Sequence, residues 1–309
     1  MSVNELASTR PFFTKSIHRE VYDAIDPTKP SLALPGKTVL VTGAARGIGI
    51  TIVESFAKAH AKTIILVGRS ASALSSAQTK FEQSFPDVHF IAVPTDIGEP
   101  QSVDALFAGL KTQVDHIDIL VNNAGVLSEY GPKTGDSDVD KWWTDMVINA
   151  RGPYLLARGL IKFNAPDSPA TFITLTTGVA EPFTNMNGYL HSKVVGVKLV
   201  QTLDAGVHTQ TVRRLMGLCA DRESTEYPNL RTFAVIPGLV ETDMLLEAMR
   251  GIPLDQASLV GGVSVYLSHP HADFLSGRFL DSRWDIDQVV ERKEEIVQND
   301  LLKLMIAGY

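Results

Sequence analysis

A single cysteine, Cys219, stands in this chain of 309 residues, so no disulfide can close within it and a reducing compartment is the expected setting. No uninterrupted apolar run approaches the roughly 18 residues of a membrane span. The opening residues, Met1-Ser-Val-Asn-Glu5, show no basic stretch followed by an apolar one, so no secretory signal is expected and a cytoplasmic location is. Lysine and arginine never form a block longer than a pair, and 28 basic against 35 acidic side chains leave a net charge of −7. That balance excludes the electrostatic footprint of a nucleic-acid binder; a ligand bearing phosphate needs locally placed cations instead. His269-Pro-His271, with Asp273, has no further ligand at metal spacing, and no metal is expected.

Hydrophobic residues make up 44% of the sequence, ample for a buried core. Residues 1–35 hold four prolines but also Phe12, Phe13, Ile17, Val21, Tyr22 and Ile25, side chains that are expected to dock this arm on the body. After the arm, short β-branched runs at 38–41, 63–67, 88–93, 117–121, 171–175 and 232–236 alternate with longer helical stretches. That alternation is the pattern of βαβ units, and runs apolar on both faces belong to strands covered on each side. The expected fold is therefore α/β: one doubly wound parallel β-sheet of Rossmann type over 36–285, followed by a helical tail over 286–309. The stretch 204–214 has no helical stripe and reads as an inserted surface loop or as retained non-coding sequence.

The first run leads into Thr42-Gly-Ala-Ala-Arg-Gly-Ile-Gly49 and then into a helical stretch. Gly43, Gly47 and Gly49 let the backbone approach a pyrophosphate closely, and the helix N-terminus offers free N–H groups and a partial positive charge. The spacing is a variant of the common dinucleotide fingerprint. At the end of the second run, where an acid would hold the adenosine ribose of NAD, the chain reads Val67-Gly-Arg-Ser70. Arg69 and Arg46 place two guanidinium groups near the expected 2′-phosphate, so NADP(H) is expected over NAD(H).

Further along, Tyr189-Leu-His-Ser-Lys193 sets a phenol and an ammonium four residues apart, on one face of a helix. A phenol at its ordinary pKa of about 10 is a poor base at neutral pH, and a fixed cation is expected to lower that value. His191 points away from this face and is assigned no role.

Together with Asn122-Asn-Ala-Gly125, these motifs resemble the short-chain dehydrogenase/reductase family over about residues 36–285. Phe13-Thr-Lys-Ser-Ile-His18 and Leu275-Ser-Gly-Arg-Phe-Leu-Asp-Ser-Arg-Trp-Asp-Ile286 resemble a filamentous-fungal branch of it. The resemblance implies that Asp96 contacts the adenine, that Asn123 lies along the cofactor ribose, that Ile48 covers the phosphate turn and that Arg158 lines the cofactor side. It also implies that Val240 and Thr242, in Pro237-Gly-Leu-Val-Glu-Thr-Asp-Met244, touch the nicotinamide carboxamide. By the same resemblance Asn149 holds a water linked to Lys193, Lys193 binds the nicotinamide ribose, and Tyr189 exchanges a proton with the substrate oxygen.

The family's catalytic serine is replaced by threonine, in Ile173-Thr-Leu-Thr-Thr-Gly178. The usual spacing to the tyrosine points to Thr176, whereas strand register and the following Gly178 point to Thr177, which is the assignment adopted. The activity implied is NADP(H)-dependent interconversion of a carbonyl and an alcohol on a small organic molecule, with fungal secondary metabolism as the setting. The alternative is a catalytically silent NADP(H)-binding redox sensor. Substrate contacts are expected from 126–134, 181–187 and 244–251, and a homodimer or homotetramer from the helices around Asn149 and Lys193.

Overall fold

The computed structural model describes residues 13–166, 168–178, 185–205, 227–247 and 251–305. The six β-branched runs form strands β1 (Thr38–Thr42), β2 (Thr63–Gly68), β3 (His89–Pro94), β4 (Ile119–Asn122), β5 (Ala170–Leu175) and β6 (Leu230–Ile236). A strand the sequence pattern did not indicate, β7 (Arg278–Asp281), completes one sheet in the order β3-β2-β1-β4-β5-β6-β7. Every pairing is parallel. The order reverses direction beside β1, and in such sheets the crevice at the carboxyl ends of the strands on either side of the reversal is where ligands bind.

The helices are α1 (Gly47–Lys58), α2 (Ala71–Ser84), α3 (Pro100–Leu110), α4 (Val139–Asp145), α5 (Gly152–Phe163), α6 (Asn187–Asp204), α7 (Ala257–Leu267), α8 (Ile286–Glu291) and α9 (Lys293–Gln298). Between α4 and α5 the chain makes a turn of π-helix, Met146–Arg151. Two apolar layers cover the sheet. One packs α1, α2 and α7 on Val39, Val41, Ile64 and Phe233, and the other packs α3, α5 and α6 on Leu40, Ile65, Leu120 and Phe172. The strands are buried on both faces, which is why their sequences run apolar without alternation.

The arm residues from Phe13 onward lie against the chain after β7. Phe13 sits between the Arg292 guanidinium, 3.6 Å from its ring centroid, and Trp284. His18 bonds Asp285 at 2.9 Å and stacks on Tyr22, and Ile25 is fully buried. The expected loop at 204–214 falls almost wholly outside the described residues, as α6 runs to Asp204. The tail expected to be helical over 286–309 is helical as far as Gln298, and 299–305 form turns and irregular chain. Among the described residues no helix is long and apolar enough to cross a membrane.

Candidate active site

At the end of β1 the chain turns through Gly43 and Gly47, both with positive φ (67° and 54°), into α1. A Cβ on Gly49 would lie 2.0 Å from the Gly43 carbonyl oxygen, so this turn closes only with glycine at 49. Thr42 braces the turn from below: its hydroxyl donates to Asn122 Oδ1 at 3.2 Å and accepts the N–H groups of Asn123 and Ala124. Asn123 donates its amide to the carbonyls of Thr42 and Gly43 at 2.9 and 3.3 Å, so it shapes the glycine turn directly. The Ala44 N–H bonds the Val67 carbonyl at 3.3 Å, which brings the end of β2, and with it Arg69, alongside the turn.

Arg46 is exposed and pairs with Asp243 at 2.5 Å. Thr242 lies over the turn, its methyl 3.5 Å from where a Gly47 Cβ would be, while Val240 is buried and bridges to Asp255. Asp96, just beyond β3, accepts the Gly98 N–H at 2.9 Å, and Ile48 is half-buried on α1. Arg158 pairs with Asp104 on α3 at 3.3 Å, an exposed ion pair like that of Arg46.

The second group of residues meets where β4 and β5 end. The π-turn carries Asn149 inward, 2% exposed, where Oδ1 accepts the Val126 N–H at 2.9 Å and Nδ2 donates to the Val126 carbonyl at 2.7 Å and to Ser192 Oγ at 3.1 Å. Lys193 Nζ donates to the Leu175 carbonyl at 3.0 Å and stands 5.6 Å from the Tyr189 ring centroid. A Cβ on Gly125 would meet Asn149 Oδ1 at 3.0 Å and Lys193 Nζ at 3.1 Å, so glycine there leaves room for both to converge. The neighbouring threonines differ. Thr176 is buried with its hydroxyl on the Lys193 carbonyl at 3.1 Å, whereas the Thr177 hydroxyl acts on Tyr189, favouring its phenolate. His191 is exposed and accepts the Trp142 indole N–H at 3.2 Å.

The electrostatics differ from the sequence-based expectation. Burial, and then the Asp145 carboxylate, push the Tyr189 phenol up to about 12, with only the Thr177 bond acting downward. Burial pulls Lys193 down to about 8, against the opposing pull of Asp145. Burial is the largest cause of both shifts, and the Asp145 carboxylate acts on both groups. Asp145 and Thr42 carry parts of the site that the motifs did not single out. Asp145 lies four residues before Asn149, a spacing that puts the two on one helical face and was the available signal. Of the pocket segments expected, 181–184 and 248–250 lie outside the described residues.

The family model for short chain dehydrogenases matches residues 37–251. Among curated proteins, the short chain dehydrogenase pigC of Monascus ruber is 32% identical over 304 residues, covering 94% of this chain and 92% of that relative. The short chain dehydrogenase andI of Emericella variicolor is 28% identical, covering 94% and 95%. Among solved structures, a short chain dehydrogenase from Salmonella enterica serovar Typhi superposes with a TM-score of 0.69 at 20% identity, over 82% of this chain and 98% of that one. A short chain dehydrogenase from Burkholderia cenocepacia, determined in complex with NADP, superposes with a TM-score of 0.65 at 21% identity, over 80% and 96%. The chain belongs to the short chain dehydrogenase family, within a filamentous-fungal branch, and the family's activity is dehydrogenase or reductase chemistry with a nicotinamide cofactor.

Proposed function

We propose that this chain is an NADP(H)-dependent oxidoreductase that interconverts a carbonyl and an alcohol on a small organic substrate. The observation that carries the reading is the convergence of Asn149, Thr177, Tyr189 and Lys193 at the carboxyl ends of β4 and β5. The glycine turn fits a dinucleotide: Gly43 and Gly49 pass with no room for side chains, and the exposed Gly47 opens a 12-residue helix whose first N–H groups suit an anion. When bound, the nicotinamide supplies or accepts the hydride.

The chain's own residues do the rest. Arg46 and Arg69 grip the 2′-phosphate, and the half-buried Ile48 covers the phosphate turn. Asp96 receives the adenine and Asn123 keeps the turn open, while Val240 and Thr242 close over the carboxamide. Lys193 holds the ribose, Asn149 positions a water beside its ammonium, Thr177 steadies the substrate oxygen and Tyr189 gives that oxygen its proton. The NADP of the Burkholderia relative and the two arginines favour the phosphorylated cofactor. A role in fungal secondary metabolism, in the cytoplasm, belongs to the same proposal.

A homodimer or homotetramer is part of the same reading. Trp143, Tyr154 and Val195 stand exposed around a groove of about 440 Å³ that Met146, Val147 and Leu199 also line, on the helices flanking Asn149 and Lys193. The test of the cofactor assignment is a fluorescence titration with NADPH and NADH side by side. Binding of NADPH at least tenfold tighter is expected, and equal affinities contradict it.

A further inference from the structure

Asp145 closes α4 one helical turn before Asn149, and it is buried, 2% exposed. Its Oδ1 accepts the Ser128 N–H at 2.9 Å, and burial raises its pKa while Ser128 acts to lower it. Its Oδ2 lies 2.8 Å from where a Cβ on Gly188 would be, so the carboxylate is pressed against the residue that precedes Tyr189, and glycine is what admits it. With Glu129, Trp142, Asn185 and Asn187 it lines a narrow recess beside the catalytic helix. Among the described residues no cation pairs with Asp145 at salt-bridge distance. A buried carboxylate without a paired cation is costly, and an asparagine would keep the Ser128 contact without that cost. Packing alone does not account for the charge.

We propose that Asp145 is a positioning residue for the reaction proposed above, on which this inference rests: its carboxylate, anchored on Ser128 and seated against Gly188, sets a negative charge at the first turn of the helix that carries Tyr189 and Lys193, and so poises the site to reduce carbonyls. In that direction the C=O π bond breaks. The carbon gains the hydride of the reduced nicotinamide, the oxygen gains the Tyr189 proton, and solvent returns a proton to the phenolate. The opposite direction needs Tyr189 as its anion, which a carboxylate nearby disfavours. The charges of Asp145 and Tyr189 repel, while those of Asp145 and Lys193 attract. The other groups facing Asp145 are Glu129, itself within 3.6 Å of Lys141, and Ser128; Thr177 faces Tyr189 from β5, and His191 is held beyond Trp142.

Asp145→Asn removes the charge and keeps an oxygen for Ser128. Two readouts are taken on the wild type and this variant: the Tyr189 titration, as the tyrosinate absorbance lost on Tyr189→Phe in each background, and the pH profile of NADPH-dependent carbonyl reduction. The Tyr189 titration and the alkaline limb of reduction are both expected to move down by about one pH unit, whereas Asp145→Glu stays near the wild-type position. If Asp145→Asn does not fold, Asp145→Ser carries the same comparison. An unmoved titration in the folded neutral variant overturns the role of Asp145 and leaves the oxidoreductase reading intact. Absence of turnover in the wild type overturns that reading instead, and the absorbance titration still decides whether Asp145 acts on Tyr189.

Discussion

Thr176 turns its hydroxyl into the interior and donates to the Lys193 carbonyl at 3.1 Å, while its neighbour Thr177 acts on the Tyr189 phenol. Successive side chains at a strand end point to opposite faces, so one residue separates the hydroxyl proposed to meet the substrate oxygen from one that ties the end of β5 to α6. The methyl that threonine adds over serine stiffens χ1 and holds the Thr177 hydroxyl in place.

Thr177→Ala is therefore expected to lower kcat by about 10² to 10³, the usual effect of losing one donor to a developing oxyanion, with NADPH affinity unchanged. Thr177→Ser is expected to retain most activity. Thr176→Val should leave kcat within a few fold and cost about 1 kcal/mol of stability for the lost buried bond. Steady-state kinetics and thermal unfolding of the three variants check the division.

Arg46 pairs with Asp243, both side chains more than 70% exposed. An ion pair this solvated is worth about 0–1 kcal/mol and yields to a phosphate. Asp243→Asn is expected to tighten NADPH binding by about two- to fivefold. Arg46→Ala is expected to weaken it by about tenfold while leaving NADH unchanged. Both are read by fluorescence titration at fixed salt.

Lys193 carries the clearest pH signature. Its value is lowered from 10.5 to about 8 by burial, so between these limits the unfolded chain binds the proton that the folded chain has lost. Burying the charged lysine thus destabilises the fold most below pH 8, and the penalty fades as pH rises toward 10.5. Lys193→Met is expected to be inactive yet more stable than wild type at pH 7, by on the order of 1–3 kcal/mol. The advantage is expected to shrink with rising pH in thermal unfolding.

The exposed apolar face of Trp143, Tyr154 and Val195 is expected to be covered by a second copy of the chain. The double variant Trp143→Glu, Val195→Glu should run as a monomer in size-exclusion chromatography with light scattering, where the wild type runs as a dimer or tetramer.

Much of this was legible in the sequence because β1 to β6 are short β-branched apolar runs, most of them buried on both faces, set at the spacing of βαβ units. The strand β7 was not, because its four residues begin with Arg278 and end with Asp281; Arg278 is buried only because Asp300 and the Leu301 carbonyl meet it from the chain after α9. The Tyr189 to Lys193 spacing indicated the helix that brings the candidate residues together, but not the burial around them or Asp145, an acid that reads as an ordinary helix residue until Gly188 is seen to admit its carboxylate. Arg158 lies on the expected helix and pairs with Asp104, a neighbour that a position in a helix does not by itself name.

The central claim rests on Tyr189 as the proton donor. The direct measurement is NADPH oxidation over a panel of ketones and aldehydes by wild type and Tyr189→Phe, with NADPH affinity measured on both proteins. The expected result is turnover by the wild type, a loss of about 10³ or more in the variant, and equal cofactor affinity. NADPH binding with no turnover on any carbonyl, or a variant as active as the wild type, would contradict it.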